Sequence, residues 1–286
     1  MLGKLFKYEW KTVSKMGLLM LAAIGIVTLL GVIGFALPMS NMETNYGYSD
    51  EDSIGVILNT LVAMVTIMVY IVTLMGVVYG MMIYLGVHFY KTMYSDEGYL
   101  TMTLPVTPRQ LIISKVLNGS IWYGIVCVAM GISVIVLMTA MMFFMGTAMD
   151  VPADMQKEMS VFFQELWEVF GIEVVHMIVS VLLMLIITPV SGMMKLFGAI
   201  TIGQLASKYR ALVGILVYFG ISVVSSIVAY IISFILNIGS FAIASATDGI
   251  PSMTASYDAA VITYLIMAVI LYFVSHNILN KKLNME

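Results

Sequence analysis

Charge is what this sequence has least of. Only 10% of its 286 residues are charged, and 61% are hydrophobic, whereas a water-soluble domain carries about 25% charged residues. No soluble fold of this length hides so much apolar surface, so the composition predicts a polytopic membrane protein. A single cysteine, Cys127, lies in an apolar run. That excludes a disulfide framework and fits a small packed hydrophobe. No run matches G-x-x-x-x-G-K-[ST], so no nucleotide-cradling loop is expected, and no H-E-x-x-H metal motif is present. Metal and cofactor sites are not expected in this chain. A net charge of -3 says little, because placement matters more than the total; no nucleic-acid partner is expected. Methionine is abundant instead, at 27 residues. It suits adaptable packing among apolar helices, or a plastic apolar path for a passing molecule.

The apolar runs predict an all-α chain with six membrane spans, at about 17–37, 54–94, 108–147, 171–206, 211–236 and 259–279. Residues 2–15 precede them as an amphipathic helix. At helical spacing Leu2, Leu5, Phe6, Trp10 and Val13 share one face, and Lys4, Lys7, Lys11 and Lys15 the other. That pattern fits a helix lying in the membrane surface. Glu9 interrupts the apolar face, either as a snorkelling carboxylate or as a buried partner for a neighbouring helix. The apolar run after it is too long for the core of a cleaved leader.

The first span is expected to close at Pro38. The second runs unbroken from about Ile54 to Tyr94, twice the roughly 20 residues that one crossing needs, so its inner end should project beyond the lipid. The third opens on Thr107-Pro108-Arg109-Gln110. Thr stands at N-cap, Pro at N1 and Gln at N3, a capping box. Residues 148–170 read as an acidic amphipathic helix on the opposite surface, with Met155, Met159, Phe162, Phe163, Leu166 and Phe170 along one side. The fourth span is expected to break at Pro189–Gly192 and to end near Lys195. A Ser/Gly/Ala-rich loop is expected over 238–258.

Six spans put both termini on one side. Of the 13 basic residues, twelve fall there: four in the N-terminal helix, three in 87–118, three in a 195–210 loop and two in the tail. Only Lys157 lies opposite. The positive-inside rule makes the terminal side cytoplasmic, which implies a multi-pass protein of the cell membrane.

Little reactive chemistry stands out. Gly131-Ile132-Ser133 and Gly220-Ile221-Ser222 faintly resemble an intramembrane serine protease motif, with His176 or His276 as possible bases. Small polar residues in spans more often bond across helices. Glu173 and His176 lie one turn apart and read as a hydrogen-bonded pair, a metal site or a proton relay. Ser222, Ser225, Ser226, Tyr230 and Ser233 share the fifth span, where they line a path for a substrate or simply bond neighbouring helices.

The run FYKTMYSDEGYLTMTLPVTPRQLIISKVL resembles the first cytoplasmic loop of ABC transporter permeases of the type-2 exporter family. The resemblance rests on Glu97, Gly98, Leu104, Pro105, Val106, Leu111, Ser114 and Lys115. AITIGQLASKYR at 199–210 is similar to the end of the fourth span in bacterial members. The resemblance implies a permease subunit with a fold like the G-subfamily exporters, from which this sequence departs in lacking a fused ATPase and in having a short last external loop. It further implies a non-enzymatic chain that pairs with a second permease chain, identical or not, in the lipid membrane. Two such chains would dock on separate ATPase subunits, which bind the ATP and Mg. Ser95, Asp96, Glu97, Gly98, Tyr99, Leu100, Met102, Leu104 and Pro105 would form or flank the coupling helix on the ATPase, with Phe6, Glu9 and Trp10 of the surface helix as a second contact. The implied function is ATP-driven export of an amphipathic peptide, lipid-like molecule or drug. A secondary transporter or small-molecule-binding membrane module is the alternative. It requires charged or unwound sites at mid-membrane, which the spans as read from sequence scarcely offer.

Overall fold

A computed structural model describes residues 2–43, 52–95, 107–148, 153–247 and 254–281. They form six helices, and there is no strand among them. The helices are α1 (Leu2–Glu43), α2 (Asp52–Tyr94), α3 (Pro108–Ala148), α4 (Ala153–Gly203), α5 (Arg210–Thr247) and α6 (Ala255–Lys281). Each holds a stretch long and apolar enough to cross a membrane, so the chain is an all-α, multi-pass membrane protein. Helices are what such a sequence must form. In hydrocarbon every backbone N–H and C=O has to be satisfied within its own segment.

α2 and α3 have nearly the bounds that the apolar runs suggest, whereas α1, α4 and α5 are longer, for a common reason. In the absence of a strong breaker, adding a residue to an existing helix gains a backbone hydrogen bond without a new nucleus. Residues 2–15 are not a separate helix but the first turns of α1, which runs past Pro38 to Glu43. The acidic run at 148–170 is likewise not free-standing. From Ala153 onward it is continuous with α4, a helix of 51 residues. That helix passes through Pro189 without a break, although proline removes one backbone bond and crowds the preceding turn. The pyrrolidine ring packs where α3 has no side chain, since a Cβ on Gly124 would lie 3.3 Å from Pro189 Cγ. Much of the expected 238–258 loop is also helical, because α5 continues to Thr247 and α6 begins at Ala255. Asp258 sits in the first turn of α6.

The chain divides into two compact units. The first comprises Met1–Val13, Ile83–Gly124 and Leu166–Glu286. Its core includes Leu85, Phe89, Leu111, Val116, Met193 and Phe197, all buried. The rings of Phe89 and Phe197 stack with centroids 4.1 Å apart and planes 9° from parallel. The second comprises Ser14–Met82 and Ile125–Glu165. There Ser133 shares hydrogen bonds of 2.6 Å with both Tyr70 and Thr28, around a core that includes Ile24, Leu74 and Leu137.

Within the first unit the α4–α5 corner is tight. Tyr209 adopts φ 55°, and Gly203 meets Gly214 so closely that a Cβ on Gly203 would lie 2.7 Å from the Gly214 Cα. Most outward positions on the spans are large apolar side chains, as lipid-facing surfaces require.

Candidate functional site

Two polar constellations stand inside the first unit. One is a clamp made by the first, second and third helices. Glu9 of α1 accepts from the Lys115 ammonium of α3, and its second oxygen lies 2.9 Å from His88 Nε2 of α2. Lys115 also donates to Thr92 Oγ1 at 2.7 Å, and Thr92 donates back to the His88 carbonyl at 2.8 Å. The side chains are 3% exposed for Lys115 and 15% for Glu9. Charges so removed from water persist only when paired and hydrogen-bonded.

Aromatic packing flanks this clamp. Trp10 lies against Trp122, with ring centroids 5.0 Å apart, and Phe6 lies against Trp10 at 5.6 Å. One turn from Lys115, Asn118 is buried and its Oδ1 has no partner among the described residues. It borders a gap of about 10 Å³ beside Glu9, His88 and Lys115, on the scale of a single water.

The clamp resolves the two readings of Glu9 in favour of a buried pairing. Trp10 and Phe6 also turn toward their own chain, while Lys4, Lys7, Lys11 and Lys15 are the exposed face. Further contacts fix the same ends of α2 and α3. Tyr94 donates to Thr201 of α4 at 2.9 Å, and Arg109 donates to His276 Nε2 of α6 at 2.7 Å. The Thr107 cap forms, with the Gln110 N–H 3.4 Å from Thr107 Oγ1 and the Leu111 N–H 3.2 Å from its carbonyl. Ser95 is exposed just past α2. Asp96, Glu97, Gly98, Tyr99, Leu100, Met102, Leu104 and Pro105 lie outside the described residues.

The second constellation is a cavity of about 350 Å³ formed by α4, α5 and α6. Ser222, Ser225, Ser226 and Tyr230, singled out on the fifth span, all line it, joined by Ser233. The spacing that groups them is the helical one: positions 222, 226, 230 and 233 recur every three or four residues on one face. What sequence reading missed is Lys195. It was counted in a cytoplasmic loop, yet it lies inside α4, eight residues and about 12 Å of helical rise before Gly203. Its ammonium donates to Ser225 Oγ at 3.0 Å and stands 4.9 Å from the centroid of the Tyr264 ring. Ser225 falls near the middle of the apolar stretch Arg210–Ile243. The available signal was the context of Lys195, apolar on both sides and with no breaker before Gly203.

A lysine inside an apolar span is costly unless it is paired, and no carboxylate among the described residues pairs with it.

The remaining candidates have simpler partners. Ser133 bonds Tyr70 and Thr28, and Ser222 donates to the Tyr218 carbonyl at 2.8 Å. Neither has a histidine among those partners. His176 turns to Asp258 at 3.5 Å and to Thr254 at 3.2 Å, while Ser180 donates to Asp258 at 2.8 Å. The Glu173 side chain lies outside the described residues. Among the described residues no group of three or more His, Cys, Asp or Glu could hold a metal. No protein family, curated protein or solved structure matches this chain.

Proposed function

We propose that the chain is the membrane-spanning subunit of an ATP-driven exporter, working with a second permease chain and a separate P-loop ATPase, its termini on the cytoplasmic side of the cell membrane. The observation that carries this reading is the Glu9–His88–Lys115 clamp. It ties the N-terminal turns of α1 to the ends of α2 and α3 that flank residues 95–107. A push on that connecting segment would therefore be shared by three helices rather than absorbed by one. That is what rigid-body alternating access demands of a lever. The chain carries no nucleotide-cradling motif, and in this reading the energy enters through a partner.

The test is recovery of that partner. Affinity purification from native membranes in mild detergent is expected to bring down a P-loop ATPase. Gly98→Pro and Tyr99→Ala are expected to lower its recovery severalfold while the amount of chain in the membrane stays the same. A chain that purifies alone and moves its cargo without ATP would overturn the reading.

A second reading, a secondary transporter, gains support from Lys195, a charge inside an apolar span. Transport driven by an ion gradient in ATP-free vesicles would favour it.

A further inference from the structure

We propose that the cavity around Lys195 binds the oxyanion head group, carboxylate or phosphate, of an amphipathic molecule whose tail lies along α5. The argument is a count of donors and acceptors. Lys195 has three N–H donors, and Ser225 takes one. Tyr230, Ser256 and Tyr264 border the same space, and their hydroxyl hydrogens have no acceptor among the described residues. Ser222, Ser225 and Ser226 donate to backbone carbonyls of their own helix. No aspartate or glutamate lines the cavity. A ligand that meets this surface must bring acceptors and negative charge, and a cationic head would face the ammonium unopposed.

Shape gives the rest. About 350 Å³ admits a compact head group and the first few carbons, not a whole lipid. Ile227, Ile231 and Phe234 of α5 are exposed beside the serine face and offer an alkyl chain an apolar track. No methionine is in the lining, so the site does not depend on the methionine-rich surface. As a statement about cargo this inference rests on the export reading; as a statement about binding it rests on the cavity alone.

The test uses the full chain in nanodiscs of zwitterionic phosphatidylcholine. The probes are a fluorescent fatty acid, an alkyl phosphate and an alkyl trimethylammonium of equal chain length. The two anions are expected to bind saturably and the cation not. Lys195→Gln is expected to weaken anion binding by about tenfold or more, the scale of one lost charge-assisted hydrogen bond. Lys195→Arg should retain it, and Tyr264→Phe, which keeps the ring, should weaken it less than Lys195→Gln. Lipid mass spectrometry of the chain extracted from native membranes identifies the source. An anionic lipid enriched on the wild type and lost in Lys195→Gln points to a bilayer lipid, and probe binding without such enrichment points to a free amphiphile. Absence of saturable anion binding to the wild type, equal binding to a Lys195→Gln protein with an unchanged thermal transition, or equal binding of the cation would overturn the proposal. None of these readouts involves an ATPase, so failure here and failure of the export reading are separate results.

Discussion

Tyr209 occupies a left-handed backbone conformation, φ 55°, that costs a non-glycine residue about 1–2 kcal/mol. It does so because the chain must turn sharply between Gly203 and Arg210. The close approach of Gly203 to the Gly214 backbone leaves no room for a side chain. Gly203→Ala would set a methyl group 2.9 Å from the Arg210 carbonyl as well, and backbone on both sides cannot step aside cheaply. The expected outcome is a fall of several degrees in the midpoint of thermal unfolding in detergent, with lower folded yield. At Tyr209 the order is set by φ: Tyr209→Gly neutral or stabilising, Tyr209→Val clearly destabilising. Equal midpoints for Gly and Val would refute the backbone account. None of this was legible in the residues alone. A glycine in an apolar run signals small size, but which backbone it lets in is a tertiary fact.

At the scale of the helix, the clamp holds α1, α2 and α3 through one carboxylate. Removing one member of a buried ion pair strands the other charge, at about 3–5 kcal/mol, whereas replacing both with apolar groups is often neutral. Glu9→Gln is therefore expected to lower the unfolding midpoint more than the double replacement Glu9→Leu with Lys115→Leu. A double-mutant cycle measures the coupling; additive effects would show that the pair contributes no more than its parts. Sequence pattern marked Glu9 as the one residue out of place on its apolar face. It could not supply Lys115 and His88, which lie 106 and 79 positions away. The six helices were legible as elements, because hydropathy over about 20 residues suffices. The ends of α2 and α3 were legible too, within two residues. Those of α1 and α4 were not, since α1 continues past Pro38 to Glu43 and α4 passes through Pro189.

Across the whole molecule, the even span count and the basic residues are what support the proposed orientation. Moving Lys195 from a loop into α4 removes one residue from that tally without reversing it, since Lys208 and Arg210 remain at the α4–α5 corner and only Lys157 stands opposite. In a background with Cys127 replaced by alanine, Ser95→Cys and Lys208→Cys are expected to react with a membrane-impermeant maleimide from the same side, and Lys157→Cys from the other. Ser95→Cys and Lys157→Cys labelled from one side would break the six-span topology.

The sequence by itself determined that this protein is built of long membrane helices, because backbone desolvation in lipid is a local constraint that each apolar run answers alone. It also located the serine and tyrosine face of α5, since helical periodicity is local too. Only the tertiary structure decided what those faces meet: a lysine of α4 against Ser225 and Tyr264, and Glu9 between His88 and Lys115. A buried charge is stable only beside its partners, and partners on other helices are brought together by packing, which no single stretch of the chain encodes.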